Sequence, residues 1–170
     1  MDPATAELVR RLAAGPELLA EAAGRAPRGD AGSPDAGASG GRWSARQNLG
    51  HLVLVERLVF QARLDQLAGD GVPSWSWHEP GTSDAPEVAT LEAALATFAA
   101  VRAETVARVA ALDDAGWARY GLHATYGRLD VRGLLEVIVD HDDHHRRDID
   151  GLAGGSTQGS VGTPAEDPPR

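Results

Sequence analysis

Four stretches of this chain repeat apolar residues at intervals of three and four, and no segment alternates with the period of two that marks a half-buried strand. The first runs from about Thr5 to Ala23 and carries Leu8, Leu12, Leu18 and Leu19; Pro16 lies inside it, which predicts a kink or break near Gly15. The second starts at Ser44, where Ser44 and Gln47 have the spacing of a capping box, and runs through His51-Leu52-Val53-Leu54-Val55-Glu56 to about Leu67. Its apolar residues cover most of the circumference, so it is expected at the centre of the fold or against a partner subunit. The third follows Thr90, from about Leu91 to Leu112, with Leu95, Phe98, Val101 and Val109 at core spacing. The fourth follows Asp130, from about Val131 to Leu152. Amphipathic helices bury their apolar stripes against one another, so the expected fold is all-α: a four-helix bundle forming one domain over residues 1–153.

The connections are long. Gly24 to Gly41 is built of Gly, Ala, Ser, Pro and Asp and reads as a flexible link. Val72 to Ala89 is a proline-rich loop, and Asp113 to Leu129 is a second, structured loop. Connections of this length permit crossovers and do not force a simple up-down-up-down order. The Gly, Ser, Thr and Pro residues from Gly154 onward predict a disordered tail over 154–170.

Composition excludes several classes of chemistry. The chain has no cysteine, so it has no thiolate metal site and no cysteine nucleophile. It has no lysine either, which excludes a Schiff base. A net charge of −9 repels a phosphate backbone, so nucleic acid is not an expected partner. No apolar run approaches the roughly 18 residues that cross a membrane, and Met1–Thr5 lacks the pattern of a signal peptide. The expectation is a cytoplasmic protein with a small-molecule substrate.

Histidines are where the chemistry concentrates. Successive helical residues advance by about 100°, so with Ile138 at the centre of the fourth helix's stripe, His145 falls about 20° and His141 about 60° from it, while His144 falls about 120° away. His141 and His145 therefore interrupt a core face one turn apart. Buried imidazoles need partners, and a pair at i and i+4 can converge on one divalent metal ion. His51, among Leu49, Leu52 and Val55 on the second helix, is the candidate third ligand. Three histidines leave a coordination position open, as a catalytic metal requires. Two carboxylates fall in apolar sectors, Glu56 and Asp142. Each is a candidate to orient a ligand or act as a base, or else to pair with a buried arginine such as Arg63. The loop residues Trp75, Trp77, His78, Trp117, His123 and Tyr126 read as plugs of the bundle's end more than as lining of a pocket mouth.

The segment Trp43-Ser44-Ala45-Arg46-Gln47-Asn48-Leu49-Gly50-His51-Leu52 resembles the second helix of the DinB/YfiT-like superfamily. His123-Ala124-Thr125-Tyr126-Gly127-Arg128-Leu129, followed by His141-Asp142-Asp143-His144-His145, resembles that family's last loop and helix. The resemblance spans about Arg42 to Leu152 and implies a bundle with a long crossover, often dimeric. It also implies a three-histidine site for zinc, nickel or a similar ion, which maps onto His51, His141 and His145. Relatives often carry glutamine where this chain has Asp148. Characterised relatives include thiol S-transferases and mycothiol-dependent isomerases. The leading expectation is thus a metal-dependent enzyme using a low-molecular-weight thiol co-substrate of the mycothiol type. Metal-dependent hydrolysis is the related reading, and a non-enzymatic metal-binding stress-response protein is the alternative from another class.

Overall fold

The computed structural model describes residues 2–26, 43–78, 80 and 90–153. The link expected after Gly24 and the tail expected over 154–170 lie largely or wholly outside the described residues. Helix α1 spans Pro3–Arg25. Helix α2, Ala45–Val55, passes through a wider π-helical segment, Glu56–Gln61, into α3, Ala62–Ala68, so that one rod carries all three. Helix α4 is Leu91–Ala110, α5 is a single turn at Asp114–Trp117, and α6 is Val131–Ala153. The capping residues read from the sequence all act. The Ser44 hydroxyl accepts from the Gln47 amide while the Gln47 side chain accepts from the Ser44 amide. Thr90 accepts from the Ala93 amide, and Asp130 accepts from the Gly133 amide.

Helix α1 packs on α6 and α4, and the α2 rod packs on α4 and α6. Helices adjacent in sequence, α1 and α2, therefore stand diagonally across the bundle, which requires the long crossover that the connection lengths allow. Two apolar clusters fill the interior. One is centred on Leu12, Phe60, Leu134, Leu135 and Ile138, the other on Leu19, Leu49, Phe98, Val101 and Ile149.

Three short strands correct the strand-free reading. β1, Ser74–Trp75, pairs parallel with β2, Tyr120–His123, which pairs antiparallel with β3, Gly127–Asp130. At two to four residues each they are too short for periodicity to reveal. The sheet closes one end of the bundle. Trp75 lies buried across Gly121, where a Cβ would stand 2.6 Å from the indole ring, and its Nε1–H donates to Gln66 at 2.6 Å.

Helix α1 also differs from expectation, because it continues through Pro16 without a break. Proline has no N–H, so the Leu12 carbonyl loses its normal partner four residues on. Arg102 Nη1 donates to that carbonyl at 3.1 Å. The same guanidinium is clasped by Glu56 (Nε–Oε1 2.9 Å, Nη2–Oε2 3.0 Å) and by Asp142 (Nη1–Oδ2 2.6 Å, Nη2–Oδ1 3.0 Å). One side chain thereby joins α1, the π segment, α4 and α6 at the middle of the bundle, with Arg102 1 % exposed. Burial works against the charged guanidinium, but the two carboxylates outweigh it and raise its proton affinity.

Gly15 makes room for this cluster. A Cβ there would lie 2.9 Å from Asp142 Oδ2 and 3.0 Å from Arg102 Nη1, atoms pinned by their mutual bonds. Alanine in a helix gains about 1 kcal/mol over glycine, but overpacking a locked core costs about 1–3 kcal/mol. Gly15→Ala is therefore expected to lower stability in a urea titration, although the helix-propensity scale ranks it as stabilising.

Candidate metal centre

The fold brings His51, His141 and His145 together. One ligand atom from each lies within 4.8 Å of the others, and among the described residues no other histidine, cysteine or carboxylate joins the group. The α6 pair meets as the helical phase requires, with His141 Nε2 and His145 Nε2 3.2 Å apart. Two nitrogens bound to one zinc ion at about 2.0–2.1 Å, at the tetrahedral angle, stand roughly 3.3–3.4 Å apart. The observed spacing is close to what such an ion needs. His144 points away, 65 % exposed beside Asp148.

Hydrogen bonds set the tautomers. The Asn48 amide nitrogen donates to the carbonyls of Ser44 at 3.0 Å and Trp43 at 3.3 Å, which turns its oxygen toward α6. That oxygen accepts from His145 Nδ1 at 2.8 Å. His51 Nδ1 donates to the Pro80 carbonyl at 3.0 Å. With the proton on Nδ1 in both rings, Nε2 carries the lone pair that faces the shared centre. Burial and the neighbouring imidazoles push His141 down to about 4 and His145 down to about 2, so both rings are uncharged at neutral pH. Trp43 completes the wall, stacked on His145 at 6.0 Å between ring centroids.

Asn48 and Trp43 belong to the site through their contacts with His145, which helical periodicity does not mark. A buried asparagine one helical turn before His51 was the available signal, since its amide must find partners. Because removing such an outer hydrogen-bond partner costs about 10–100-fold in metal affinity, Asn48→Ala is expected to weaken zinc binding by that factor in a competition titration. Its fold should remain intact, because Asn48 bonds only within its own turn and to His145.

The carboxylates named from the sequence lie elsewhere. Arg102 takes all four oxygens of Glu56 and Asp142. The buried arginine that pairs with them is thus Arg102 and not Arg63. Arg102 sits on the α4 stripe itself, four residues after Phe98 and seven before Val109, and that placement could have exposed it.

A cavity of about 200 Å³ opens beside the triad, lined by Val59, Phe60, Val137 and His141 from the helices and by Trp77 and Tyr126 from the loops. The loop aromatics therefore divide. Trp75 and His123 are buried in the end of the bundle, and Trp117 packs partly buried against the core. Trp77 and Tyr126, 54 % and 46 % exposed, stand with His78 at the cavity.

A crossed-over helical bundle with a largely buried histidine triad beside an open cavity is an arrangement able to hold a divalent metal between its helices. The chain belongs to the DinB superfamily, whose pattern matches residues 4–149. Among solved structures it is similar to YfiT from Bacillus subtilis, described as a probable metal-dependent hydrolase with an unusual four-helix bundle topology, at 18 % identity and a TM-score of 0.71, covering 91 % of this chain and 89 % of that one. No curated protein matches significantly. No helix among the described residues is long and apolar enough to cross a membrane.

Proposed function

We propose that this chain is a metal-dependent enzyme acting on a small molecule, with S-transfer from a low-molecular-weight thiol as its reaction. The observation that carries the proposal is the contrast between a triad left open and carboxylates that are already engaged. Neither residue able to close the centre does so: His144 is exposed with Asp148, and Glu56 is held by Arg102. The cavity reaches His141 instead.

A divalent ion held by His51, His141 and His145 supplies a Lewis acid that lowers the pKa of a bound nucleophile. The residues around it favour a nucleophile that needs little further help. Glu56 and Asp142, the buried acids of the bundle interior, each accept two hydrogen bonds from Arg102 and are poorly placed to take a proton. A thiol, with an ordinary pKa of about 8.5, would need less help from a base to ionise than water at about 15.7. Asp140, exposed at the cavity, is the remaining acid there among the described residues. Asp140 and the hydrolase description of YfiT support hydrolysis as the second reading.

Zinc- or nickel-loaded protein assayed with several small thiols and 1-chloro-2,4-dinitrobenzene is expected to form conjugate in a reaction lost in His145→Ala. Triad-dependent cleavage of p-nitrophenyl acetate without any thiol would favour hydrolysis. If neither reaction depends on the triad, both readings fail.

A further inference from the structure

Arg63 is a buried cation with no carboxylate partner among the described residues. It lies on α3, is 7 % exposed and lines the same cavity as His141. Its Nη2 donates to the Ser76 carbonyl at 3.1 Å and faces His123 Nε2 at 3.3 Å. Among the described residues Nε and Nη1 make no hydrogen bond and no carboxylate forms an ion pair with it. Arg102, by comparison, has two carboxylates. A desolvated guanidinium is costly without a counter-charge.

His123 does not supply that charge. Its Nδ1 accepts from the amides of Thr125 at 3.1 Å and Tyr126 at 3.4 Å, so the neutral ring carries its proton on Nε2, toward Arg63. Burial and Arg63 both keep it from taking a second proton. Asp140 shares the cavity but forms no ion pair with Arg63.

We propose that Arg63 anchors the carboxylate of the small molecule that fills this cavity, and that this molecule is otherwise apolar. The inference rests on the reading of the cavity as the substrate site. The planar guanidinium matches a carboxylate with two parallel N–H bonds. The Trp75 indole, 5.4 Å from Arg63 Cζ, holds its plane. One guanidinium in the cavity lining, in a chain of net charge −9, suits a monoanion better than a dianionic phosphate. Val55, Val59, Phe60 and Val137 give the remainder of the ligand an apolar wall to pack on.

Benzoate and benzyl alcohol differ mainly in the carboxylate and serve as probes, with binding read by calorimetry on the protein as purified and again after chelation. Benzoate is expected to bind at least tenfold tighter in both states. Arg63→Met should erase the preference while leaving benzyl alcohol within about twofold. Arg63→Lys, which keeps the charge but not the fork, should lose it several-fold and decides the matter if the methionine variant does not fold. Equal binding of the two probes to the wild type overturns the proposal, as does a preference left undiminished by either substitution. A preference that vanishes on chelation also overturns it, since the carboxylate would then sit on the metal. A preference for benzoate in a protein that takes up no zinc would uphold Arg63 and refute the metal reading. Zinc uptake without the preference would do the reverse.

Discussion

Replacing Arg102 with methionine is expected to cost about 3–5 kcal/mol of folding stability, the range for removing one partner of a buried ion pair. The variant would leave Glu56 and Asp142 facing each other in the interior, at 1 % and 7 % exposure, with no counter-charge. It would also strand the Leu12 carbonyl, whose helical partner Pro16 cannot provide. Burial already pushes Asp142 up to about 6 against the pull of Arg102, so losing the arginine should protonate Asp142 at neutral pH. Replacing all three charges together, as Arg102→Met with Glu56→Leu and Asp142→Leu, should recover most of the loss, because a well-packed apolar core is no worse than a buried ion cluster. Urea titrations of the single and triple variants make the comparison. Equal destabilisation of the two would mean that the charges are not the origin of the effect.

His51→Ala is expected to weaken zinc binding by at least about a hundredfold, since loss of a hydrogen-bond partner outside the ligands already costs 10–100-fold. His51 is the informative ligand because it alone comes from α2, and its place in the site depends on the bundle's crossover. Two imidazoles on one turn of α6 would bind an ion only weakly without it. His144→Ala, four residues along the same helix from Asp140, should leave the affinity unchanged, because its ring is exposed beside Asp148. Competition with a chromophoric chelator reads both variants. Equal losses in the two would mean that the ion is held by an exposed cluster on α6 and not by the buried centre.

The helices and the α6 part of the site were legible because they depend on period and spacing alone. The positions of His141, His144 and His145 follow from rotation about one axis, and the caps at Ser44, Thr90 and Asp130 act within one turn of their own residues. His51 could be nominated from its apolar surroundings, but only tertiary packing brings it to the pair. Features that depend on contacts between distant segments were harder to read. The Pro80 carbonyl that orients His51 lies 29 residues away in a loop. The expected break at Pro16 fails because Arg102, 90 residues from Leu12, replaces the missing helical bond. Local rules describe the cost of proline in a helix but not the distant donor that offsets it. The strands escaped notice for a related reason. They exist through pairing, such as Trp75 opposite His123, and are too short to carry a pattern of their own.

The central claim is that the Nε2 atoms of His51, His141 and His145 meet at one cation with a position left open. X-ray absorption at the zinc edge of the stoichiometrically loaded protein tests it most directly. The expected spectrum shows three imidazole nitrogens at about 2.0–2.1 Å and one further light-atom ligand, with one imidazole lost in His51→Ala. A spectrum with two or fewer imidazoles in the wild type, or one unaltered by that substitution, would contradict the account.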